Sequence, residues 1–358
     1  MSVRIVLPPP TPRGDNMRTK HKCLHLLIAL VALCVAGGGL YAPRAEAKIT
    51  LTYAFFAPIK SFPGVQMEHW AQELEKRTDG EVEVKLFAGG TLLGPRDMYD
   101  GVMNGVADIG LSCPSYDPGR FPLSSGVSLP VGFPSATVAS LTYWDLMNEL
   151  KPAEFSKFKV ITMFTTEPGY IQSKQPVRSL ADLKGMKLRA AGTGVPVLKA
   201  LGAAPVGMPM PQVPESIQTG VIDGTMTSRE VLRDFKLAEM LGYVLDYPTV
   251  VVTFAAVMDQ KKWDALPDKV KKVMDELSRE MAVWTGDYHD NANVGGALKW
   301  AKKDHGLQIT ELNPGEKEKW DALIHPMVAA WVEEMTAKGF DAKGFMERLY
   351  AIRDKNMK

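Results

Sequence analysis

An α/β fold of two lobes is predicted by three features of the sequence. Short apolar runs alternate with amphipathic helical stretches from Lys48 onward. The alternation restarts near Pro168, and the second cluster of strands and helices is long enough to form a lobe of its own. A long β run, "PTVVVTFAAVM" from Pro248, then leads into a long helical stripe, which suits a chain that crosses back to its first lobe. Such a path makes a cleft spanned by two or three segments, the architecture of proteins that close on ligands by hinge motion.

The elements follow in order. "KITLTYAFF" from Lys48 reads as the first strand. Met67, Trp70, Ala71 and Leu74 recur at i, i+3, i+4 and i+7, the core stripe of a helix that ends near Asp79-Gly80. "EVEVKLF" alternates as a strand, Tyr99, Val102, Met103 and Val106 mark a second helix, and "ADIGLS" is a third strand. A Pro/Gly-rich connection from Pro114 to Pro134 precedes a helix through Leu150 and a strand over Val160 to Thr165. In the second cluster come an extended "GYIQSKQPV", a strand "MKLRA", a helix over Gly194 to Leu201, "AAPVGM", a helix over Val213 to Thr219, "VIDGTM", and a helix around Arg229 to Met240. Val270, Val273, Leu277, Met281 and Trp284 stripe a helix expected to run to about His305. A last stripe, Trp320 to Met335, contains Pro326, which should kink or split it.

The first 47 residues carry a different pattern. From Met17 a basic start (Arg18, Lys20, Lys22) leads into an apolar run over Leu24 to Val35 and an A-x-A ending at Ala45, Glu46 and Ala47. This is the layout of a cleaved signal peptide, with cut expected after Ala47 and Met17 a candidate start. Its removal takes six Lys/Arg and two Asp/Glu from the chain of 358, leaving 36 against 39 and a net charge near −3. That balance indicates no basic face for nucleic acid or anionic lipid. Cys113 is the one cysteine left, so no internal disulfide can form. No later segment reaches the roughly 18 apolar residues of a membrane span, so an exported, soluble protein is expected.

Catalytic and metal chemistry find little support. His69, His289, His305 and His325 stand apart from one another and from any zinc-ligand spacing, and no nucleophile elbow or P-loop occurs, so neither cofactor nor metal is expected. No His lies near Cys113 in sequence to activate it. In "AGTGVPVLKALG", Gly192 and Gly194 occupy a strand-to-helix turn, but Val197 takes the place of the third glycine of a dinucleotide loop. Arg189 stands at the carboxyl end of "MKLRA", where open α/β sheets bind ligands, and its planar fork suits a carboxylate. From this context alone, a surface Arg paired to a nearby Asp is as good a reading.

Two long stretches shift that balance. "KRTDGEVEVKLFAGGTLLGPRDMYDGVMNGVADIGL" and "PVRSLADLKGMKLRAAG" with the following "LGAAPVGMPMPQVPESIQTGVIDG", together with the signal pattern, resemble the solute-binding subunits of tripartite ATP-independent periplasmic (TRAP) transporters, the DctP-like family. The resemblance implies a periplasmic-binding-protein-like fold, with mixed sheets, helices on both faces, crossing strands and a long helix under both lobes. It implies a non-enzymatic periplasmic protein that captures a small organic acid anion and hands it to a small and a large integral membrane permease subunit. The domains expected are a signal over 1–47, lobe I over 48–167 plus about 255–292, and lobe II over 168–254 plus about 293–358.

The family's carboxylate-binding Arg, at the end of its G-x-K-x-R strand, falls on Arg189, with the family's "LGA" (Gly202) thirteen residues on and its "DG" (Asp223) thirty-four on. The position after "DGxx", often Asn, is Thr227; a second basic position found in some members falls on Gly169, beside Tyr170; a ligand-packing position falls on Met210. The loop over Ser112, Ser115 and Tyr116, and Phe55 and Phe56 after the first strand, should face the cleft, with Phe121 a further aromatic candidate. One anchoring Arg among apolar side chains favours a monocarboxylate, aromatic or oxo/hydroxy, over a C4-dicarboxylate or sulfonate. Arg229 would reverse this if it offered a second charge. Binding coupled to a sensor rather than a permease fits the same residues.

Overall fold

The first strand, β1 (Ile49–Phe55), alternates buried with more exposed side chains up to Tyr53 and is buried on both faces at its end, with Leu51, Tyr53, Ala54 and Phe55 inside. The computed structural model describes residues 48–358, so the expected signal peptide lies outside the described residues. Helix α1 (Phe62–Arg77) comes next, with Met67, Trp70, Ala71 and Leu74 on its buried face as the period requires. Strands β2 (Val82–Phe87) and β3 (Ile109–Ser112) pair in parallel on either side of β1. Helix α2 (Ala136–Leu150) is capped by Ser135, whose side chain accepts from the Val138 amide, and leads to β4 (Phe158–Thr165).

The chain then passes to a second sheet. β5 (Tyr170–Ser173), β6 (Lys187–Ala190), helix α3 (Gly194–Ala200), β7 (Ala204–Gly207), β8 (Gly224–Thr227) and β9 (Tyr243–Leu245) belong to it. β10 (Thr253–Asp259) returns to the first sheet and lies antiparallel between β3 and β4. The first sheet runs β2-β1-β3-β10-β4. Helix α4 (Asp268–Tyr288) continues through a π-helical stretch, His289–Val294, into α5 (Gly295–His305). β11 (Gln308–Thr310) completes the second sheet, ordered β11-β9-β5-β8-β6-β7. Helices α6 (Glu316–Ile324), α7 (Pro326–Ala337) and α8 (Ala342–Asn356) end the chain.

Several expectations are revised. The helix expected over Arg229 to Met240 is one short turn, Val231–Asp234, and a 3-10 turn, broken where Lys236 takes a left-handed conformation. The β run from Pro248 is a strand only from Thr253; residues 246–252 cross between the sheets, with the Gly169 amide donating to the Val250 carbonyl. Pro326 splits the last stripe into α6 and α7, as its missing N–H dictates. The last two helices pack mainly with the first sheet's core: Trp331, Phe345 and Leu349 share a buried cluster with Tyr143, Leu146 and Phe158, while Met327 at the start of α7 packs against the second's. The expectation that everything after about residue 293 belongs to lobe II therefore does not hold for α7 and α8: α8 packs on α2, and α7 packs on α8 and on the short helix at residues 122–127.

Candidate functional site

The carboxyl ends of β1, β3, β6 and β8 point toward one another across the two sheets. Each ends in a turn that delivers a side chain to the same cleft. Arg189 comes from β6, in register with Val206 of β7 and Thr225 of β8, and is 1% exposed. Its Nε–H donates to the Met208 carbonyl at 2.8 Å, and an Nη2–H donates to the Tyr116 hydroxyl at 3.3 Å. The same hydroxyl accepts from the Met210 amide at 3.1 Å. Tyr116 sits on a 3-10 turn (Pro114–Tyr116) after β3, so one phenol oxygen ties the first sheet to two segments of the second. No carboxylate of a described residue forms an ion pair with Arg189. A guanidinium taken out of water without a counter-charge costs several kcal/mol, as an order of magnitude, unless a partner arrives.

Around that guanidinium lies a narrow cleft of about 430 Å³, part of it open to solvent. Its walls are aromatic: Phe55, Phe56, Phe62, Phe254 and Tyr116, with Met210, Thr166 and Thr227. The Phe56 and Tyr116 rings meet edge to face at 5.4 Å, and Phe62 meets Phe254 the same way at 5.6 Å. Small size and apolar walls with few convergent polar groups are the marks of a small-molecule site. A wider groove lined by Ser115, Gly192, Trp331 and Phe340 is roomier, but its cations Arg96 and Lys338 are exposed.

Of the residues singled out in the sequence, Arg189, Thr227, Met210, Tyr116, Phe55 and Phe56 line this cleft. The others do not. Arg229 is held by Glu167, Nε to Oε1 at 2.9 Å and Nη2 to Oε2 at 2.6 Å, and lies over the Tyr170 ring at 3.9 Å. It is therefore neutralised within the protein, and Tyr170 is occupied as its platform. Gly169 is a backbone crossing point: a Cβ there would sit 3.1 Å from the Val250 carbonyl oxygen. Ser112 donates to the Pro95 carbonyl, and its own carbonyl accepts from the Tyr99 hydroxyl. Ser115 faces Gly192, where a Cβ would lie 2.7 Å from the Ser115 Cβ; glycine with φ +50° permits this approach of one lobe to the other. Phe121 is core, stacked on Phe155. Cys113 is fully buried, and burial raises its thiol pKa far from the reactive range.

The sequence reading missed an acidic side of the cleft. Glu230 and Asp234, from the turn after β8, line it; Glu230 is buried, and Asp234 is half-buried with its side chain only 3% exposed. Burial, then the Asp234 charge, pushes the Glu230 carboxyl well above the usual carboxylate range; burial lifts Asp234 to about 6. Asp234 accepts from the Phe62 amide at the start of α1 and from Asn293 of the π-helical stretch. His289 stacks on Phe62 at 4.2 Å, and burial holds its imidazole pKa below the ordinary value. No local motif marks these residues, because they meet only through the fold.

A two-lobed α/β frame with one buried, unpaired cation in an aromatic interlobe cleft defines the class: a solute-binding protein. The model of bacterial extracellular solute-binding proteins of family 7, DctP, matches residues 56–335. The chain belongs to that family, the solute-binding proteins of TRAP transporters, which are not enzymes. A TRAP periplasmic solute-binding protein from Desulfovibrio salexigens, in an open complex with the C-terminus of a symmetry mate in its ligand site, is 45% identical, with TM-score 0.77 over 86% of this chain and 97% of that one. One from Rhodoferax ferrireducens, with copurified benzoate, is 27% identical, with TM-score 0.82 over 86% and 98%. A third, from an unidentified marine microbe, is specific for aromatic acid ligands and was co-crystallised with 3-hydroxybenzoate; it is 28% identical, with TM-score 0.82 over 87% and 99%.

Proposed function

We propose that this protein captures a small monocarboxylate, aromatic or hydroxylated, in the cleft at Arg189 and delivers it to the small and large membrane subunits of a TRAP permease. One observation carries the reading: a fully buried Arg with no protein carboxylate, facing a narrow aromatic cleft. The ligand carboxylate supplies the missing charge and accepts from the guanidinium, with Thr227 offering a hydroxyl beside it. Phe55, Phe56, Phe62 and Phe254 cover the remainder of the solute. The engagement of Arg229 by Glu167 argues against a C4-dicarboxylate, whose second charge would find no free cation there. The neighbours that hold benzoate and 3-hydroxybenzoate support an aromatic acid. Export to the periplasm by cleavage after Ala47 belongs to the same reading, and the N-terminal residue of the secreted protein checks it.

The test is calorimetric titration of a panel of aromatic and aliphatic monocarboxylates, dicarboxylates and sulfonates. Wild type should bind a monocarboxylate one to one. Arg189→Ala should bind it at least about 10- to 100-fold more weakly, since a charged hydrogen-bonded contact is worth about 1.5–3 kcal/mol or more. Unchanged affinity in that variant would remove Arg189 from the role.

A further inference from the structure

Two buried polar atoms beside the cleft lack partners. Glu230 Oε2 and His289 Nε2 lie 3.7 Å apart, too far to hydrogen-bond each other, and neither meets any other described group. Both residues are at most 3% exposed, and Glu230 lines the cleft. Leaving two such atoms unsatisfied is costly, so the pair is half of a larger arrangement.

The polarity of that arrangement is set by the hydrogen bonds behind it. Asp234 accepts the Phe62 amide at 2.9 Å and the Asn293 Nδ2 hydrogens at 3.4 Å. This turns the Asn293 Oδ1 toward His289, whose Nδ1 lies 3.2 Å from it and must donate. Nε2 of the neutral ring is then a bare acceptor. Glu230 Oε1 accepts from the Ser228 hydroxyl at 2.8 Å, which leaves Oε2 as the place for a carboxyl proton. The raised carboxyl and lowered imidazole pKa values favour the same two neutral forms. One acceptor and one donor 3.7 Å apart are complementary to a single hydroxyl oxygen, which gives its hydrogen to the imidazole and takes one from the carboxyl.

We propose that Glu230 and His289 form a second polar subsite of the cleft that takes an uncharged hydroxyl of the solute, making the preferred ligand a hydroxy-monocarboxylate. The inference rests on the Arg189 reading for the carboxylate end of that ligand. A second carboxylate is rejected here because it would bring a charge against the Asp234 carboxylate and the acceptor nitrogen of His289. Glu230→Gln keeps a donor and an acceptor in nearly the same shape, whereas Glu230→Leu and His289→Leu remove one partner each.

The experiment measures affinity for matched acids that differ by one hydroxyl: benzoate against 3-hydroxybenzoate, phenylacetate against mandelate, propionate against lactate. In wild type at least one hydroxylated member should bind about tenfold or more tighter than its parent, the worth of satisfying two buried polar atoms at about a kcal/mol net. Glu230→Leu and His289→Leu should erase that preference, so that both members of a pair bind alike, and Glu230→Gln should retain most of it. Arg189→Ala should weaken both members of a pair alike. Equal or tighter binding of every parent acid by wild type would overturn the subsite and leave the Arg189 reading standing, as would a hydroxyl preference that persists in both Leu variants. Failure of every acid in the set to bind would overturn both.

Discussion

Arg229 shows how a charged side chain near a binding cleft can belong to the scaffold instead. Its bidentate pairing with Glu167, whose side chain is 7% exposed, makes Arg229 the counter-ion of a buried acid. Arg229→Leu leaves that carboxylate buried and alone, so it should cost about 3 kcal/mol, the low end for breaking a buried pair because Arg229 keeps some solvent contact. Glu167→Gln added to it should recover most of the loss in urea unfolding. Ligand affinity should stay within about twofold of wild type; a drop as deep as that of Arg189→Ala would make Arg229 a ligand contact after all. Asp234 gives a pH prediction. Its carboxyl titrates at about 6 in the fold against 3.8 in an ordinary setting, so the folded state holds its proton more tightly. The associated stability is complete below about pH 4 and is lost as pH rises through 6, a change of about 2–3 kcal/mol. Unfolding free energies of wild type and Asp234→Asn should therefore converge or cross between pH 4 and 7 by that amount; parallel profiles would refute the raised pKa. At this scale the sequence was legible where a residue lies at or just after a strand end beside a readable turn: Arg189 and Phe55 at the ends of β6 and β1, and Tyr116 in the turn after β3, all line the cleft. It was silent on Glu230, His289 and Asp234, separated by 59 positions at the widest yet held in one network. It gave no sign that Arg229 is held by Glu167, because no local pattern pairs the two.

Among the elements, the helical run from α4 to α5 packs on both lobes, α4 against β4, α1 and α2 and α5 against the turn at Val231–Asp234. Of its expected stripe, Val270, Leu277 and Met281 are buried and Val273 and Trp284 half-buried, with Met274 completing the buried face; the π-helical stretch was not readable, since one extra residue in the turn changes no composition and only re-aims the side chains beyond it. The re-aiming puts His289 and Asn293 toward Phe62 and Asp234, and puts Asp290 on the start of α2. The Asp290 carboxylate accepts from the Ala136 and Thr137 amides at 2.9 and 2.8 Å, satisfying donors that the helix start leaves free. This crossing needs Gly286, since a Cβ there would stand 2.6 Å from the Thr137 Cα. In Gly286→Ala the helix gains about 1 kcal/mol of intrinsic propensity, but backbone pressed on backbone costs more, and the net should be a loss of about 2 kcal/mol. Gly295, also helical, has nothing within 4 Å of an added Cβ. Gly295→Ala should stabilise by up to about 1 kcal/mol. Two alanines nine residues apart on one helical run that shift the urea midpoint in opposite directions would establish that α2 is docked through this glycine; a shift in the same direction would refute it.

Across the whole molecule, the two-lobed path was legible because apolar periodicity restarts at Pro168 and the chain has to return through the run near Pro248. The packing of α7 and α8 was not, since an amphipathic stripe says that a face is buried without saying against what. The lobes meet around the cleft through a few specific contacts: Tyr116 with Arg189 and Met210, Ser115 against Gly192, Phe62 with Asp234, and the Thr193 hydroxyl donating to the Ser128 carbonyl at 2.5 Å. The last of these touches neither the cleft lining nor any residue proposed to hold the solute. Because it joins one lobe to the other, it is expected to break when they part, so its free energy should add to the closed state alone. A solute that binds the closed form has its apparent affinity scaled by how readily that form is reached. Thr193→Val keeps the shape of the side chain and removes the donor. It should weaken solute affinity about fivefold, the worth of roughly 1 kcal/mol of hydrogen bond, with the change appearing mainly as faster release. Thermal unfolding of the ligand-free protein should be unchanged, and small-angle scattering should report a larger radius of gyration for the variant at subsaturating solute. An unaltered affinity would mean that this contact survives opening, and that the hinge turns about an axis passing near Ser128 instead of beyond the cleft.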